Sequence, residues 1–287
     1  MTVTVWNACK AHLSRAVRRV VSESSKHAPE WIEFTPRRED ADWLIAHVVG
    51  SGEIEDLQRE HDDQRVIMWQ YCHKTADVAD WPAVWADVDM VASYYDLPTD
   101  RLYQTPLGVD MDVFYPMDVE KRYGIMATGY VAETECLREA YEACVALGVD
   151  FCHVGQDFDW GEHYCHFENV PDATMCRLYN ESHLALATRR VEGFELPALE
   201  AAACATEFTC LDMADYRRWF APLRAHWIDP RVPVQPQLTY LLSQLLKARG
   251  ATRPATILST CTWRHVMAEF WAEAERRLMD GGTACPG

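Results

Sequence analysis

The sequence predicts an α/β protein built from two doubly wound domains. Short β-branched or apolar runs recur along the chain, helical patterns separate most of them, and a stretch marked by Pro and Gly divides the series in two. Alternation of strand and helix is typical of parallel sheets covered by helices. The chain has 287 residues, which is enough for two compact domains of roughly 100–150 residues each.

The individual elements can be placed along the chain. The runs that predict strands lie at 2–6, 43–49, 66–69, 89–93, 124–128, 150–155 and 183–188. Clear helical patterns cover 135–147, 197–205 and 262–280. The last of these carries apolar residues at helical spacing, so we expect that helix to pack on a core.

One connection is marked by turn residues. Residues 105–124 carry two prolines and two glycines and follow no clear period, which favours a link between domains. We therefore expect an N-terminal domain over residues 1–115 and a C-terminal domain over residues 116–287. Two such domains facing each other enclose a cleft, and open parallel sheets bind ligands beyond the carboxyl ends of their strands.

Charge and cysteine content restrict the function classes. The net charge of −17 discourages non-specific binding to nucleic acid or to anionic membranes. Residues 1–38 nevertheless hold seven bases against three acids, and this excess falls largely on the first predicted helix. A solvated helix face and a contact for an anionic ligand both remain open. Eleven scattered cysteines without a C-x-x-C pair indicate core thiols and a reducing cytoplasm.

The most informative segment is RRVEGFELPALEAAACAT, residues 189–206. It follows a predicted strand and enters a helix, where Pro197 suits the first turn. The start of such a helix offers free backbone N–H groups and the positive end of its dipole, a natural seat for a diphosphate. Glu200, one turn inside the helix, can accept hydrogen bonds from ribose hydroxyls. Glu192, on the preceding loop, can reach a sugar.

Here the sequence resembles a known family. EGFELPALEA resembles the E-G-F-G-L-P-x-x-E-A signature of the retaining GT-B glycosyltransferases (glycosyl transferases group 1). Four further segments resemble family motifs in the correct order: 91–96, 105–116, 167–186 and 259–278. The resemblance implies two Rossmann-like domains facing a cleft. It also implies a C-terminal helix that crosses back to the N-terminal lobe.

The resemblance also implies roles for individual residues. Glu200 would hold the ribose of a nucleotide sugar, and Glu192 would contact the donor sugar as a catalytic residue. His73 matches the histidine that faces the donor sugar, with a buried core histidine as the alternative. The loop amides expected to bind sugar hydroxyls belong to Gly193, Phe194 and Glu195, although the family usually has glycine at the last of these positions.

Other positions depart from the family pattern. The family carries G-R-x-x-x-x-K after the first strand of its C-terminal lobe, and its Arg and Lys bind the diphosphate. Gly129 is retained here, but Tyr130 and Glu135 stand where the two cations are expected. Arginine binds phosphate oxygens in pairs. We therefore expect Arg189 or Arg190 to supply the lost charge, with simple surface exposure as the alternative.

The N-terminal counterpart is also unusual. The family has a glycine-rich loop after its first strand, whereas WNACKAH (6–12) offers Asn7 and Lys10. His47 matches a family site only loosely. The sequence HYCH (163–166) contains metal-ligating residue types, but its spacing is poor for zinc, and no metal site is expected.

The expected function follows from the resemblance. The chain would be a retaining glycosyltransferase, a hexosyltransferase by implication, that moves a sugar from a UDP- or GDP-sugar to an acceptor hydroxyl without metal or cofactor. The acceptor stays open among a small molecule, a glycan, a protein, a lipid and a hydroxymethylated base in DNA, and no stable membrane insertion is expected. A non-catalytic sugar- or nucleotide-binding protein and a sugar-nucleotide epimerase are the alternatives.

Overall fold

The computed structural model describes residues 2–8, 10, 13–73, 78, 80–130, 132, 134–158, 160–191, 193–248 and 259–279. The chain divides into two compact units. Unit 1 comprises Met1–Gly108 and Thr260–Gly287, and unit 2 comprises Val109–Ser259. The division lies within the Pro- and Gly-marked stretch, whereas the sequence placed the boundary between residues 115 and 116. Each unit contains one six-stranded parallel sheet, so the predicted α/β class is confirmed.

Unit 1 is built on the first six strands. These strands are β1 (Val3–Asn7), β2 (Ile32–Phe34), β3 (Trp43–Val48), β4 (Arg65–Gln70), β5 (Met90–Ser93) and β6 (Leu102–Gln104). The sheet order is β2-β1-β3-β4-β5-β6, and all neighbouring strands are parallel. Helices α1 (Arg15–Lys26) and α2 (Trp81–Ala86) lie between strands, as do two short 3-10 helices, Arg38–Asp40 and Ser51–Leu57.

Helix α1 shows why the basic segment folds. Its N-cap residue is Ser14, whose hydroxyl accepts a hydrogen bond from the Val17 backbone N–H at 3.3 Å. This cap satisfies one of the N–H groups that every helix start leaves unpaired. Val17, Val20 and Val21 are buried, so one face packs on the core while Arg18 on another face is exposed.

Unit 2 is built on the last six strands. These strands are β7 (Tyr123–Gly129), β8 (Asp150–Gly155), β9 (Tyr164–Phe167), β10 (Ser182–Ala187), β11 (Glu207–Leu211) and β12 (His226–Ile228). Its helices are α3 (Leu137–Leu147), α4 (Asp172–Asn180), α5 (Leu196–Ala203), α6 (Ala214–Phe220) and α7 (Val234–Lys247). The order β9-β8-β7-β10-β11-β12 is that of a Rossmann-type dinucleotide-binding sheet.

The C-terminal helix α8 (Trp263–Leu278) belongs to unit 1. The Trp271 indole N–H donates a hydrogen bond to the Ser24 carbonyl on α1 at 3.0 Å. The Arg277 guanidinium donates to the Arg101 and Leu102 carbonyls at 2.7 and 2.9 Å. The apolar stripe that the sequence assigned to this helix is buried, so helical spacing identified its packing face correctly.

The structure also bears on the expected role of the cysteines and on membrane-spanning helices. Most of the described cysteines are buried, Cys136, Cys152 and Cys210 among them, as expected for core thiols. In the part of the chain that the structure describes, no helix is both long enough and apolar enough to cross a membrane.

Candidate functional site

The carboxyl ends of β7 and β10 form the switch point of the unit 2 sheet. β7 and β10 are neighbours, with β8 beyond β7 and β11 beyond β10, so the chain leaves the two strands toward opposite edges. Ligands bind at such points in open α/β sheets. Gly129 ends β7, and Arg189 follows β10 by two residues. Several residues singled out from the sequence therefore lie where a ligand is expected.

An ion pair occupies this switch point. The Arg189 guanidinium donates through Nε to Glu135 Oε2 at 2.7 Å, and its Nη1 lies 3.7 Å from Glu195 Oε2. The side chains of Arg189 and Glu135 are 22% and 12% exposed, and that of Glu195 is 1% exposed. One guanidinium therefore faces two carboxylates, and the charge that was expected to bind a phosphate is already paired.

Glu195 is held by more than the ion pair. Its Oε1 accepts the Arg189 backbone N–H at 3.1 Å. The Tyr216 hydroxyl lies 3.3 Å from the same oxygen and 2.7 Å from the Arg189 carbonyl. A buried carboxylate persists only when it is paired and hydrogen-bonded. The Glu195 side chain therefore fastens the loop that follows β10 to α6, which carries Tyr216.

Gly129 makes room for this arrangement. Its φ of +120° lies in the positive range that glycine adopts more readily than other residues. A Cβ at this position would stand 2.6 Å from Glu135 Oε2 and 2.7 Å from Arg189 Nη2. Arg190 points elsewhere, since its Nη1 donates to the Pro230 carbonyl at 3.3 Å. The structure thus brings Gly129, Glu135 and Arg189 together and directs Arg190 to a different carbonyl.

Glu200 lies on α5 and is buried. Its Oε2 accepts a hydrogen bond from the Tyr179 hydroxyl on α4 at 2.9 Å. α5 begins at Leu196, with Pro197 in its first turn, as the sequence predicted. The hydrogen bond fixes one carboxylate oxygen of Glu200 and thereby orients the other.

The loop between β10 and α5 is only partly described. Glu192, the predicted contact to the donor sugar, lies outside the described residues. Phe194 is buried, with its ring centroid 5.0 Å from that of Phe220 and 6.1 Å from that of Trp219. Gly193 is a buried bend residue beside it. Packing of Phe194 therefore anchors this loop on the unit 2 core.

His73 in unit 1 lies three residues after β4 ends. Its ring is surrounded by aromatic rings, with centroids 6.0–6.4 Å away in Tyr95, Trp85 and Trp81. Among the described residues, no group hydrogen-bonds its buried Nδ1. Unpaired buried nitrogens are uncommon in folded proteins, so within the described residues His73 Nδ1 stands out as a buried nitrogen whose hydrogen-bonding capacity is unused.

His47 has a different role. It lies on β3 and is fully buried, with Nδ1 2.7 Å from the Tyr71 hydroxyl and Nε2 2.8 Å from Asn7 Oδ1. Asn7 Oδ1 can only accept, so a neutral imidazole with its proton on Nε2 satisfies both bonds. Burial lowers the pKa of His47 to about 3. His47 is therefore a neutral core residue rather than an acid–base group.

The segment that replaces the glycine-rich loop is also committed internally. The Lys10 ammonium lies 3.0 Å from both Glu55 Oε1 and Asp56 Oδ2 and donates to the Gly52 carbonyl at 3.0 Å. Asn7 Nδ2 donates to Ser24 Oγ at 3.0 Å. The Lys10 charge is therefore paired within unit 1, and the Asn7 amide is hydrogen-bonded there.

The HYCH segment is not assembled as a metal centre. His163 Nδ1 lies 3.1 Å from Asp150 Oδ1, and His166 Nε2 lies 2.8 Å from the Gly155 carbonyl oxygen. Within the described ranges, no three His, Cys, Asp or Glu side chains are grouped so that they could hold a metal ion.

Two tyrosines were missed by the sequence analysis. Tyr179 orients Glu200, and Tyr216 holds Glu195. Both lie on helices at positions where the sequence pattern indicates ordinary core residues, and both are buried. A buried tyrosine hydroxyl usually needs a partner, and this was the only signal that could have drawn attention to them.

No family model matches the chain, and no curated protein sequence matches it. Solved structures do match. AviGT4, a glycosyltransferase involved in avilamycin A biosynthesis, is 14% identical over 98% of this chain and 99% of its own, with a TM-score of 0.60. A glycosyltransferase from Rickettsia africae ESF-5 is 10% identical over 98% of this chain and 100% of its own, with a TM-score of 0.73.

A third similar structure contains a nucleotide. The pneumococcal O-GlcNAc transferase GtfA in complex with UDP and GlcNAc is 12% identical over 82% of this chain and 57% of its own, with a TM-score of 0.57. At these identities the likeness establishes the fold alone. The chain has the GT-B fold. The expected fold is therefore confirmed, while activity has to be argued from the site.

Proposed function

We propose that this chain is a retaining glycosyltransferase that binds a UDP- or GDP-sugar through unit 2. The observation that carries the proposal is the placement of Glu200. It is a buried carboxylate on α5, held by Tyr179 at 2.9 Å, in the helix that follows the switch-point strand β10. A carboxylate in this position can accept hydrogen bonds from vicinal ribose hydroxyls. The glycosyltransferase structures of the same fold support this reading.

The chemistry requires charge stabilisation at two places. Breaking a glycosyl–phosphate bond develops positive charge on the sugar and negative charge on the leaving phosphate, and preorganised donors stabilise such charge. We assign the sugar to Glu192, to the amides around Gly193 and Phe194, and to His73. The leaving phosphate can take the proton of the acceptor hydroxyl. Attack then occurs from the face that the phosphate leaves, which retains the configuration.

The acceptor is an anionic molecule in our preferred version of the proposal. The support is helix α1, on which Arg15 and Arg18 are exposed, whereas the net charge of −17 counts against a polyanionic acceptor. Exposed guanidinium groups bind phosphates in pairs of hydrogen bonds. A hydroxymethylated base in DNA and a lipid phosphate both fit this chemistry. Small molecules, glycans and proteins are the remaining acceptors.

A second candidate is a non-catalytic protein that binds sugars or nucleotides. The pairing of Arg189 with Glu135 and Glu195 favours it, because among the described residues this pairing sets one guanidinium against two carboxylates at the switch point. A sugar-nucleotide epimerase is a third candidate, and the E-G-F-x-L-P loop argues for transfer instead.

Titration calorimetry with UDP and GDP tests the donor assignment. Glu200→Ala should weaken the affinity for one of them about tenfold to a hundredfold, because a charge-assisted hydrogen bond is worth about 1.5–3 kcal/mol. Glu142→Gln is the matched control, since Glu142 is exposed on α3. An unchanged affinity in Glu200→Ala would contradict the ribose assignment.

Turnover of a panel of radiolabelled nucleotide sugars separates the three candidates. A transferase releases the nucleoside diphosphate and labels an acceptor or water, an epimerase returns a changed nucleotide sugar, and a binding protein does neither. Glu192→Ala should reduce kcat more than affinity if Glu192 acts in the transition state. Activity that persists in EDTA would support the expected independence from metal.

A further inference from the structure

The recess at the unit 2 switch point is filled by its own side chains. Thr128, Leu186 and Thr188 line it together with the Glu135–Arg189 pair, and among the described residues the recess leaves no room for a water molecule. Open α/β sheets bind ligands at this point. A phosphate that binds Arg189 must therefore displace one of the two carboxylates that face it. The contacts of Glu135 and Glu195 indicate which of them is held less firmly.

The two carboxylates that face Arg189 are held very differently. Glu195 accepts the Arg189 backbone N–H at 3.1 Å, lies beside the Tyr216 hydroxyl and is 1% exposed. Within the described part of the chain, the Glu135 carboxylate accepts its hydrogen bond from Arg189 alone, at 2.7 Å. Glu135 also belongs to the turn before α3 rather than to a helix or strand. Glu135 is therefore the less firmly held of the two carboxylates.

The backbone is shaped to admit this pair. Gly129 lies against it, and a Cβ there would approach Glu135 Oε2 to 2.6 Å and Arg189 Nη2 to 2.7 Å. A carboxylate and a phosphate present similar oxygen pairs to a guanidinium fork. Glu135 thus occupies the position on Arg189 that one edge of a phosphate would take.

We propose that Glu135 is a specificity-determining residue that competes with the phosphate of the ligand for Arg189 and selects against highly charged phosphates. The inference rests on the proposed function, because it concerns the same donor site. When the ligand binds, the Glu135–Arg189 pair opens and Arg189 turns to the phosphate. The repulsion between Glu135 and the ligand grows with the negative charge of the ligand, so Glu135 disfavours a diphosphate more than a monophosphate.

Titration calorimetry on the full chain tests this with inorganic pyrophosphate and inorganic phosphate as probes. Glu135→Gln keeps the shape of the side chain and removes the competing charge. It should tighten pyrophosphate binding about tenfold, the size of effect expected when a charge-assisted hydrogen bond no longer has to be broken. The gain for phosphate should be smaller. In an Arg189→Gln background, Glu135→Gln should change the logarithm of the pyrophosphate affinity by less than half as much as it does in the wild-type background.

Glu139→Gln is the matched control. Glu139 lies in the first turn of α3, so this variant changes the net charge by the same amount nearby and should leave pyrophosphate affinity within about twofold of wild type. Glu135→Ala serves as a second variant if Glu135→Gln does not accumulate as folded protein, which circular dichroism and thermal melting establish first.

Four outcomes would overturn the inference. An unchanged or weakened pyrophosphate affinity in Glu135→Gln removes the competitor role, and an equal gain for both probes removes the selectivity. A full gain in the Arg189→Gln background means that Arg189 is not the shared partner, and failure of both Glu135 variants to fold means that Glu135 is structural. A pyrophosphate gain without turnover of any nucleotide sugar would uphold the inference and remove the proposed transferase activity.

Discussion

His47 should make unit 1 lose stability when the pH falls. Its ring lies in the core with both nitrogens hydrogen-bonded, to Tyr71 and to Asn7, and burial lowers its pKa from 6.5 to about 3. The unfolded chain exposes the same histidine, which then binds a proton near its ordinary pKa of about 6.5. Between these two pKa values the unfolded state holds more protons than the folded state, so acid favours unfolding.

The magnitude follows from the two pKa values. Each pH unit between about 6 and 3 removes about 1.4 kcal/mol of folding free energy, because one pKa unit corresponds to 1.36 kcal/mol. From pH 7 to pH 5 the loss due to His47 should be about 2 kcal/mol. The contribution is fully present above pH 6.5 and is lost as the pH falls toward 3.

Urea denaturation at pH 7 and pH 5 measures this loss, with His47→Gln as the comparison. Glutamine can hydrogen-bond but does not titrate, so other groups contribute alike to both proteins. Wild type should lose about 2 kcal/mol more than the variant over this interval. The histidine ring signals in NMR give an independent test, since the resonance absent from His47→Gln should not shift between pH 8 and pH 5. A midpoint near 6.5 for that resonance, or equal acid losses in both proteins, would refute the reasoning.

Two further predictions concern positions whose neighbours are fixed. Gly108→Ala would place a Cβ 2.6 Å from the Trp263 backbone, so urea denaturation should show a loss of about 1–3 kcal/mol. Gly52→Ala, whose Cβ would meet nothing within 4 Å, should change stability far less, and equal losses would contradict the argument. Tyr179→Phe removes the hydroxyl that holds Glu200 and should weaken UDP or GDP binding about threefold to tenfold, because a positioning contact that does not touch the ligand is expected to cost about 1 kcal/mol. Unchanged binding of both nucleotides would show that Tyr179 does not position Glu200.

Most of the buried central strands could be predicted from the sequence, and the three-residue edge strands could not. The predicted run 43–49 corresponds to β3, which is buried along its whole length. β2 and β12 have three residues each and lie at the edges of their sheets. A three-residue strand shows no measurable alternation, and an edge strand needs no continuous apolar run. Local pattern therefore identified most of the sheet centres and missed the edges, and it also missed β11, a five-residue strand between β10 and β12.

The candidate site could be predicted only where one segment carries it. The position of Glu200 on a helix that follows a strand came from contiguous residues 183–205. The partner of Arg189 lies 54 residues away at Glu135, and no local pattern connects the two. The sequence placed Glu135 where the family has a phosphate-binding cation and suggested Arg189 as a replacement for that cation. The structure shows that the acid and the base are partners before any ligand arrives.

Glu135, Arg189 and Glu195 are best understood as one set. A carboxylate as deeply buried as Glu195 carries a large desolvation cost unless a cation and hydrogen-bond donors face it, and Arg189 and Tyr216 supply both. Arg189 therefore contributes to the fold through Glu195 as well as facing the ligand site. Glu135 adds a second carboxylate to the same cation, with its Oε2 2.7 Å from Arg189 Nε, so a phosphate that binds Arg189 has to compete with it. This competition is the reason for assigning a selectivity role to Glu135.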